Sequence, residues 1–369
     1  LKDRKIQDFT RITIALPFLK LLIKKKAKII IISHLGRPKG LKDNELSLMP
    51  VYKFLKKELK SNLFFFMGNI DEETKNKCSY LKEGEVILLE NIRFSKGESE
   101  DDDILANKLA TLGDIYINDA FSCSHRKQAS IHKITKYVKN SYAGPLLKKE
   151  IEAIDLVVKN KKKPVTCIIG GSKISTKIKV ISNLIKNVNN IVIVGAMANN
   201  FLAFKGFKIG KSLMEENSDN IISQIYNEAQ KNNCNIIIPE DCNVSTNIEG
   251  TSITKKKDEI DNNEFILDIG PKTIENIENI IDQSNTVLWN GPAGYFENKN
   301  FLIGTLSIAK KISKNTSSNS LISILGGGDT ISALNKSSEK FTFSHLSTAG
   351  GAFLEFLEGK DLPGLNVLK

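Results

Sequence analysis

Leu321-Ile-Ser-Ile-Leu-Gly-Gly-Gly-Asp-Thr330 decides how this chain is read. A short apolar strand runs straight into three glycines, an aspartate and a threonine. The helix-like segment Ile331-Ser-Ala-Leu-Asn335 follows. Glycines at a strand-to-helix junction let backbone N–H groups approach an anion closely, and the start of the helix adds partial positive charge. Asp329 then has two readings: a helix N-cap, or a ligand for a Mg2+ that accompanies phosphate oxygens.

The rest of the sequence has to choose between them. Its 369 residues are enough for a sizeable core and favour two domains over one. Lys28-Ile-Ile-Ile-Ile-Ser33 is a buried-strand pattern, and no apolar run is long enough for a membrane span. The five cysteines, Cys78, Cys123, Cys167, Cys234 and Cys242, are odd in number and contain no Cys-x-x-Cys pair. That argues for a reducing, cytoplasmic setting and against a disulfide framework or a zinc site. The net charge of +11 admits nucleic acid, an anionic membrane or phosphorylated substrates as partners. Lysine, asparagine and isoleucine are abundant throughout, however, so the lysine runs at 24–26, 161–163 and 255–257 read as solvated surface. The acidic run Glu98-Ser-Glu-Asp-Asp-Asp103 partly balances them.

From the N-terminus, Asp8 or Thr10 can cap a helix whose apolar face is Ile12, Ala15, Leu19, Leu22 and Ile23. Pro17 predicts a kink or restart in it. Arg11 lies at its start, off the apolar face. Strands are expected over 28–33, 63–67, 85–89 and 115–118, alternating with helices over 50–59, 71–81 and 103–112. Alternation of this kind builds a doubly wound parallel sheet, which binds ligands beyond the carboxyl ends of its strands. Three such ends carry His34-Leu-Gly-Arg-Pro38, Glu90-Asn-Ile-Arg-Phe94 and Asn118-Asp-Ala-Phe121 with His125-Arg126. Arg37, Arg93, Arg126 and His34 on one rim make a basic site suited to phosphate or carboxylate.

Gly144-Pro145 precedes a long helix, expected over 146–159, and the domain boundary falls there. A second βα series begins at Val165–Ile169, which ends in Gly170-Gly-Ser-Lys-Ile-Ser-Thr-Lys177. Lys173 and Lys177 are expected on one face beside a helix start, with Ile174, Ile178, Ile181 and Ile185 facing the core. Further strands are expected over 191–194, 235–239, 265–269, 286–288 and 342–345, with a helix near 219–231. Gly195-Ala-Met-Ala198 and Trp289-Asn-Gly-Pro-Ala-Gly-Tyr-Phe-Glu297 follow two of those strands. The expected architecture is α/β: two doubly wound, Rossmann-like parallel-sheet domains joined by a long helix, with a cleft between them. Residues 1–149 form the first domain, 150–163 the connecting helix and linker, and 164–352 the second domain. One domain carries a basic, arginine-lined site and the other a glycine-rich site with two lysines and an aspartate, as befits a phosphoryl donor and acceptor.

His34-Leu-Gly-Arg-Pro38, Glu90-Asn-Ile-Arg-Phe94, Asn118-Asp-Ala-Phe121, Gly170-Gly-Ser-Lys173, Trp289-Asn-Gly-Pro292 and Gly326-Gly-Gly-Asp-Thr330 resemble, in order and spacing, the motifs of the phosphoglycerate kinase family. Leu357-Glu-Gly-Lys-Asp-Leu-Pro-Gly364 resembles its C-terminal end, so the resemblance spans essentially the whole chain. It implies a glycolytic enzyme that transfers a phosphoryl group between 1,3-bisphosphoglycerate and MgADP, giving 3-phosphoglycerate and ATP. By motif, Arg11, His34, Leu35, Gly36, Arg37, Arg93 and Arg126 would bind the phosphoglycerate. Lys173, Lys177, Gly195, Asn290, Glu297, Gly326, Gly327, Gly328, Asp329 and Thr330 would bind the nucleotide. Asp329 would hold Mg2+, and Arg11, Lys173 and Lys177 would serve catalysis, with Arg11 and Lys177 meeting the transferred group. The resemblance also implies lobe closure, a monomer, and a C-terminal segment, 353–369, returning to the first domain.

Leu1 is not a natural start. The family begins with a strand ending in Val-Asp-Phe-Asn-Val-Pro, and this sequence starts just after that point, so the chain as given is expected to be nearly inactive, with a nucleotide lobe that still binds. Ala196 and Ala349 stand where many members have glycine, and Ser122-Cys-Ser124 lies in a variable motif. Rival readings lack their signatures. No Gly-x-Gly-x-x-Gly opens a helix as in a dinucleotide-binding dehydrogenase, and Gly170-Gly-Ser-Lys173 lacks the spacing of a Walker loop. A nucleic-acid-binding protein would need aromatics interleaved with lysines.

Overall fold

The computed structural model describes residues 5–38, 40–158 and 162–368. They form two compact units, Leu1–Lys149 with Asp361–Lys369, and Glu150–Lys360. In the first, α1 (Thr10–Thr13) stops and α2 (Leu16–Lys24) restarts with Pro17 in its first turn. Proline there sacrifices an N–H that would be unpaired anyway. Then come β1 (Ile29–Ile31), α3 (Met49–Leu59), β2 (Leu63–Phe66), α4 (Glu72–Ser79), β3 (Val86–Leu89), α5 (Asp103–Ala110), β4 (Ile115–Asn118), β5 (Asn140–Ala143) and α6 (Pro145–Val158).

Strand β3 is the centre of this unit. It lies between β1 and β2, parallel to both. All four of its residues are buried, because successive side chains enter opposite layers. Val86 and Leu88 pack with Leu16, Leu55 and Leu59 of α2 and α3, and Ile87 and Leu89 with Cys78, Leu105 and Leu109 of α4 and α5. Strands β4 and β5 form a separate parallel pair, so the expected single sheet is two parallel sheets among the described residues.

The second unit holds β6 (Val165–Ile169), α7 (Ile178–Ile185), β7 (Asn190–Ile193), α8 (Met197–Phe204), α9 (Asp219–Lys231), β8 (Asn235–Ile237), β9 (Asp241–Ser245), β10 (Ile253–Lys256), β11 (Phe265–Ile269), α10 (Pro271–Asp282), β12 (Thr286–Asn290), α11 (Ile303–Ser317), β13 (Ile322–Gly326), α12 (Gly328–Leu334), β14 (His345–Ser347) and α13 (Gly351–Leu357). Its parallel sheet runs β14-β13-β12-β6-β7-β8. Connections turn one way after β6 and the other way after β12, so the switch point lies at the carboxyl ends of these two strands. Ile168, Trp289 and Leu325 bury one face of the sheet beneath Ile277 and Ile281 of α10 and Ile308 and Ile312 of α11.

Strand β11 departs from the expected βα series. It pairs antiparallel with β9, which also pairs antiparallel with β10. Strand β9 starts at Asp241, directly after β8, and so short a link leaves no room for the helical crossover that a parallel strand needs. The expected return of 353–369 to the first unit also begins later, at Asp361. Phe353 and Leu357 are fully buried in the second unit, with the Phe353 ring packed where a side chain on Gly326 would lie. In the first unit α14 (Pro363–Asn366) follows, with Gly364 N–H bonded to Ser124 O at 2.8 Å. The division between units falls inside α6, and Glu150, expected in a linker, is held within the second unit by His345 Nε2 at 2.9 Å.

Candidate functional site

In the first unit, two strand-end loops build each other. Glu90, at the end of β3, accepts from Ser47 Oγ (2.6 Å), Leu48 N (2.8 Å) and Asn91 N (2.7 Å). Asn91, buried, donates through Nδ2 to Leu35 O (2.7 Å) and Leu46 O (3.0 Å) and accepts from Arg93 N (3.1 Å). Leu35 and Gly36 therefore shape the site through their carbonyls. Gly36 has φ +63°, a conformation that favours glycine. Its carbonyl takes Arg93 Nη1 at 2.6 Å.

Arg93 is 6 % exposed, and its Nη2 is buried with no hydrogen-bond partner among the described residues. A buried, unpaired guanidinium nitrogen is costly and suited to an arriving anion. Burial, with the charges of Arg126 and Arg37 nearby, weakens its hold on its proton. Arginine charges also act on His34, whose pKa falls to about 4 through burial first and then Arg93, Arg126 and Arg11. His34 is therefore neutral at pH 7, able to donate from one ring nitrogen and accept at the other. Arg11, in the last turn of α1, reaches this cluster by charge, and Arg126 donates from Nε to His125 Nε2 at 3.2 Å. All five expected phosphoglycerate ligands of ionisable type thus gather in one unit.

Sequence reasoning missed Cys123, whose Sγ lies 3.8 Å from Nδ1 and 3.9 Å from Nε2 of His34. It also missed the supports. Asp119 accepts from Leu146 N (2.6 Å) and Leu147 N (3.1 Å), capping α6, and Asn118 Nδ2 donates to Gly364 O at 3.2 Å. Nothing in the sequence marks these partners, which arrive from 27 to 246 residues away.

In the second unit the glycines lie at the switch point. A side chain on Gly170 would collide with Pro292 O, and one on Gly291 with Gly170 O, so the turns after β6 and β12 touch backbone to backbone. Trp289 Nε1 donates to Gly291 O and Gly291 N to Thr330 Oγ1, both at 2.8 Å. Thr330 is fully buried, and its hydroxyl serves this turn. Gly195 N joins the same cluster through Ala293 O at 3.0 Å.

Two expectations change here. Lys173 and Lys177 do not share a helix face, because α7 starts only at Ile178: Lys173 stands exposed in the preceding loop and Lys177 is the N-cap. Asp329 is not an N-cap. Gly327, at φ +107°, holds that position, and Asp329 lies exposed within the first turn of α12.

Lys177 Nζ donates to Asn290 Oδ1, and Asn290 Nδ2 donates to Gly326 O at 2.9 Å. Asn290, expected as a nucleotide ligand, here aims Lys177. Burial lowers the Lys177 pKa to about 8, against the opposing charges of Asp329 and Glu358. Lys173, Lys177, Asn290, Gly326–Gly328 and Asp329 thus belong to one rim. Glu297 is exposed at the other end of α12, where its carbonyl accepts Lys336 Nζ at 3.1 Å. No group of three or more His, Cys, Asp or Glu side chains is arranged around a metal position among the described residues. A lone carboxylate oxygen donor fits a Mg2+ that keeps its waters and arrives with phosphates.

The model of the family described as phosphoglycerate kinase matches residues 1–360. A phosphoglycerate kinase of Wolbachia pipientis is 46% identical over 100% of this chain and 93% of its own length. One of Orientia tsutsugamushi is 46% identical over 99% of this chain and 90% of its own length. The solved structure of phosphoglycerate kinase from Coxiella burnetii superposes with a TM-score of 0.90 at 39% identity, covering 100% of this chain and 92% of that one. The chain belongs to the phosphoglycerate kinase family. It is a kinase, a glycolytic phosphotransferase using ATP and ADP as co-substrates.

Proposed function

We propose that the two rims divide the reaction between them. The first unit's Arg11, His34, Arg37, Arg93 and Arg126 bind 3-phosphoglycerate or 1,3-bisphosphoglycerate. The second unit's Lys173, Lys177, Gly195, Glu297 and glycine-rich turn bind ADP or ATP. The observation that carries this reading is the buried Arg93 Nη2 without a partner in a cluster of arginines around a neutral histidine. An acyl phosphate has a good leaving group, so the ADP oxygen attacks phosphorus while the carboxylate departs, and no strong base is required. What the chain must supply is in-line placement and neutralisation of the equatorial phosphoryl oxygens. Arg11 and Lys177 fill that role, Lys177 aimed by Asn290. Asp329 would hold Mg2+, which when bound neutralises charge on the nucleotide phosphates.

We further propose a monomer acting on small molecules in the cytoplasm, without nucleic acid or membrane: the cysteines are free, and Lys255 of one lysine run is spent on Asp261 (2.6 Å) and the buried Glu264 (2.9 Å). No helix among the described residues is long and apolar enough to cross a membrane. A coupled assay of purified protein with ATP, Mg2+ and 3-phosphoglycerate should show turnover above the protein-free rate. Absence of turnover would sink the reading.

A further inference from the structure

We propose that Glu215 is a positioning residue for phosphoryl transfer: from its seat on the buried Asn200, it clamps the lysine-bearing loop 170–177 in the shape that receives nucleotide phosphates. The proposal rests on the assignment of that loop to the nucleotide.

The loop between β6 and α7 carries both Lys173 and Lys177 but has neither ladder nor helical hydrogen bonding along most of its length. Asn290 holds its two ends, accepting from Gly170 N–H at 2.8 Å and from Lys177 Nζ, and two further points hold the stretch between. At one end Gly171 O accepts Met197 N–H from the start of α8 at 2.8 Å. In the middle Ser175 N–H donates to Glu215 Oε2 at 2.9 Å. Hydrogen bonding from Ser175 holds the Glu215 carboxyl below the usual range, with the charge of Lys173 adding to it. The carboxylate therefore holds the loop at Ser175, two residues from Lys173.

A clamp works only if its own base is fixed. Glu215 lies in the segment between α8 and α9, which α8 pins from beneath. Asn200 Oδ1 accepts from Glu215 N (2.9 Å) and Ser218 Oγ (3.1 Å), and Asn200 Nδ2 donates to Met197 O (3.3 Å). Asn199 Nδ2 donates to Leu213 O at 3.0 Å. Asn199 and Asn200 are 0 % and 1 % exposed; Asn200 uses both ends of its amide inside the protein, and Asn199 uses its Nδ2, its Oδ1 having no partner among the described residues. Two of the loop's anchors thus trace to one helix: Met197 belongs to α8, and Glu215 is seated on Asn200 of α8. Loop and helix keep one spacing, and Lys173 is presented without further ordering. A loop ordered in advance does not charge its ordering to the ligand, so the clamp should appear in nucleotide affinity.

The alternative is that Glu215 merely quenches the charge of Lys173, in which case removing it should tighten nucleotide binding. The test is Glu215→Ala and Glu215→Gln in the whole chain, with kcat, KM for ATP, KM for 3-phosphoglycerate and Tm measured for each. Glu215→Ala should raise KM for ATP about tenfold, leaving KM for 3-phosphoglycerate and Tm nearly unchanged. Glu215→Gln keeps an oxygen for Ser175 N–H and should recover most of that loss. An unchanged or lowered KM for ATP, an equal rise for both substrates, or a glutamine variant no better than alanine would overturn the clamp. Hydrogen exchange at Ser175 N–H, faster in Glu215→Ala, reads the clamp without any turnover. Failure of the wild type to turn over would instead count against the assignment of function.

Discussion

Lys177 shows how one side chain joins packing to chemistry. Its ammonium is pointed by Asn290, and burial brings its pKa down to about 8 from an ordinary value near 10.5. The free protein therefore loses this positive charge as pH rises through 8. ADP affinity should fall by up to about tenfold per pH unit above 8, since a charge-assisted hydrogen bond contributes about 1.5–3 kcal/mol. Lys177→Gln should bind ADP weakly with a flat profile over the same range, and calorimetric titration from pH 7 to 9 checks both. For stability the sign is opposite. Between pH 8 and about 10.5 the unfolded chain binds the proton more tightly, so this group's contribution to stability rises with pH across that window. At this scale the sequence showed which residue types gather at strand ends. It did not show that Asn290 aims a lysine or that Asn91 knits two loops together, because those partners are set by tertiary approach.

Among elements, the apolar strands were legible because burial on both faces writes itself as runs such as Val86-Ile-Leu-Leu89. Strands β5, β9 and β10 were not, being short and largely polar in sequence, although β9 buries Cys242 and Val244 against Leu202 and Ile260. The start of α7 was misread for a related reason. Ile174 stands at helical spacing from Ile178, yet it is a fully buried loop residue. Strand β11 carries a second feature with consequences. It bulges between Ile266 and Asp268, turning the Asp268 carboxylate inward, where it accepts from Ile269 N (2.9 Å) and Gly304 N (2.8 Å). Burial raises its pKa from 3.8 to about 7 despite those bonds. The folded state thus holds a proton that the unfolded chain releases. The stability tied to this group is complete below about pH 4 and is lost as pH rises through 7. Denaturant midpoints should decline from pH 5 to pH 8. Asp268→Asn should remove most of that slope at a cost of about 1–3 kcal/mol, because its amide sets N–H against one backbone N–H. A slope unchanged by the substitution would place the titrating group elsewhere.

At the scale of the molecule, the sequence order of motifs sorts the ligands: every arginine of the first rim precedes α6, and every residue of the second rim follows it. This was readable because strand-end loops are local in sequence even where their contacts are not. A division of labour by unit makes a two-way prediction. Arg126→Ala should weaken 3-phosphoglycerate binding by tenfold or more, at about 1.5–3 kcal/mol for a charged hydrogen bond, and leave ADP affinity within about twofold. Asp329→Asn should do the reverse. It should depress Mg2+-dependent ADP affinity, leave 3-phosphoglycerate unaffected, and barely move Tm, since Asp329 is exposed and makes no side-chain capping bond. Each unit has its own core, built around β3 in one and around β6 and β12 in the other. Isothermal titration of both ligands against both variants fills the four cells of the comparison. Equal losses for both ligands in either variant would contradict the division, and a fall in Tm with Asp329→Asn would return that aspartate to a structural role.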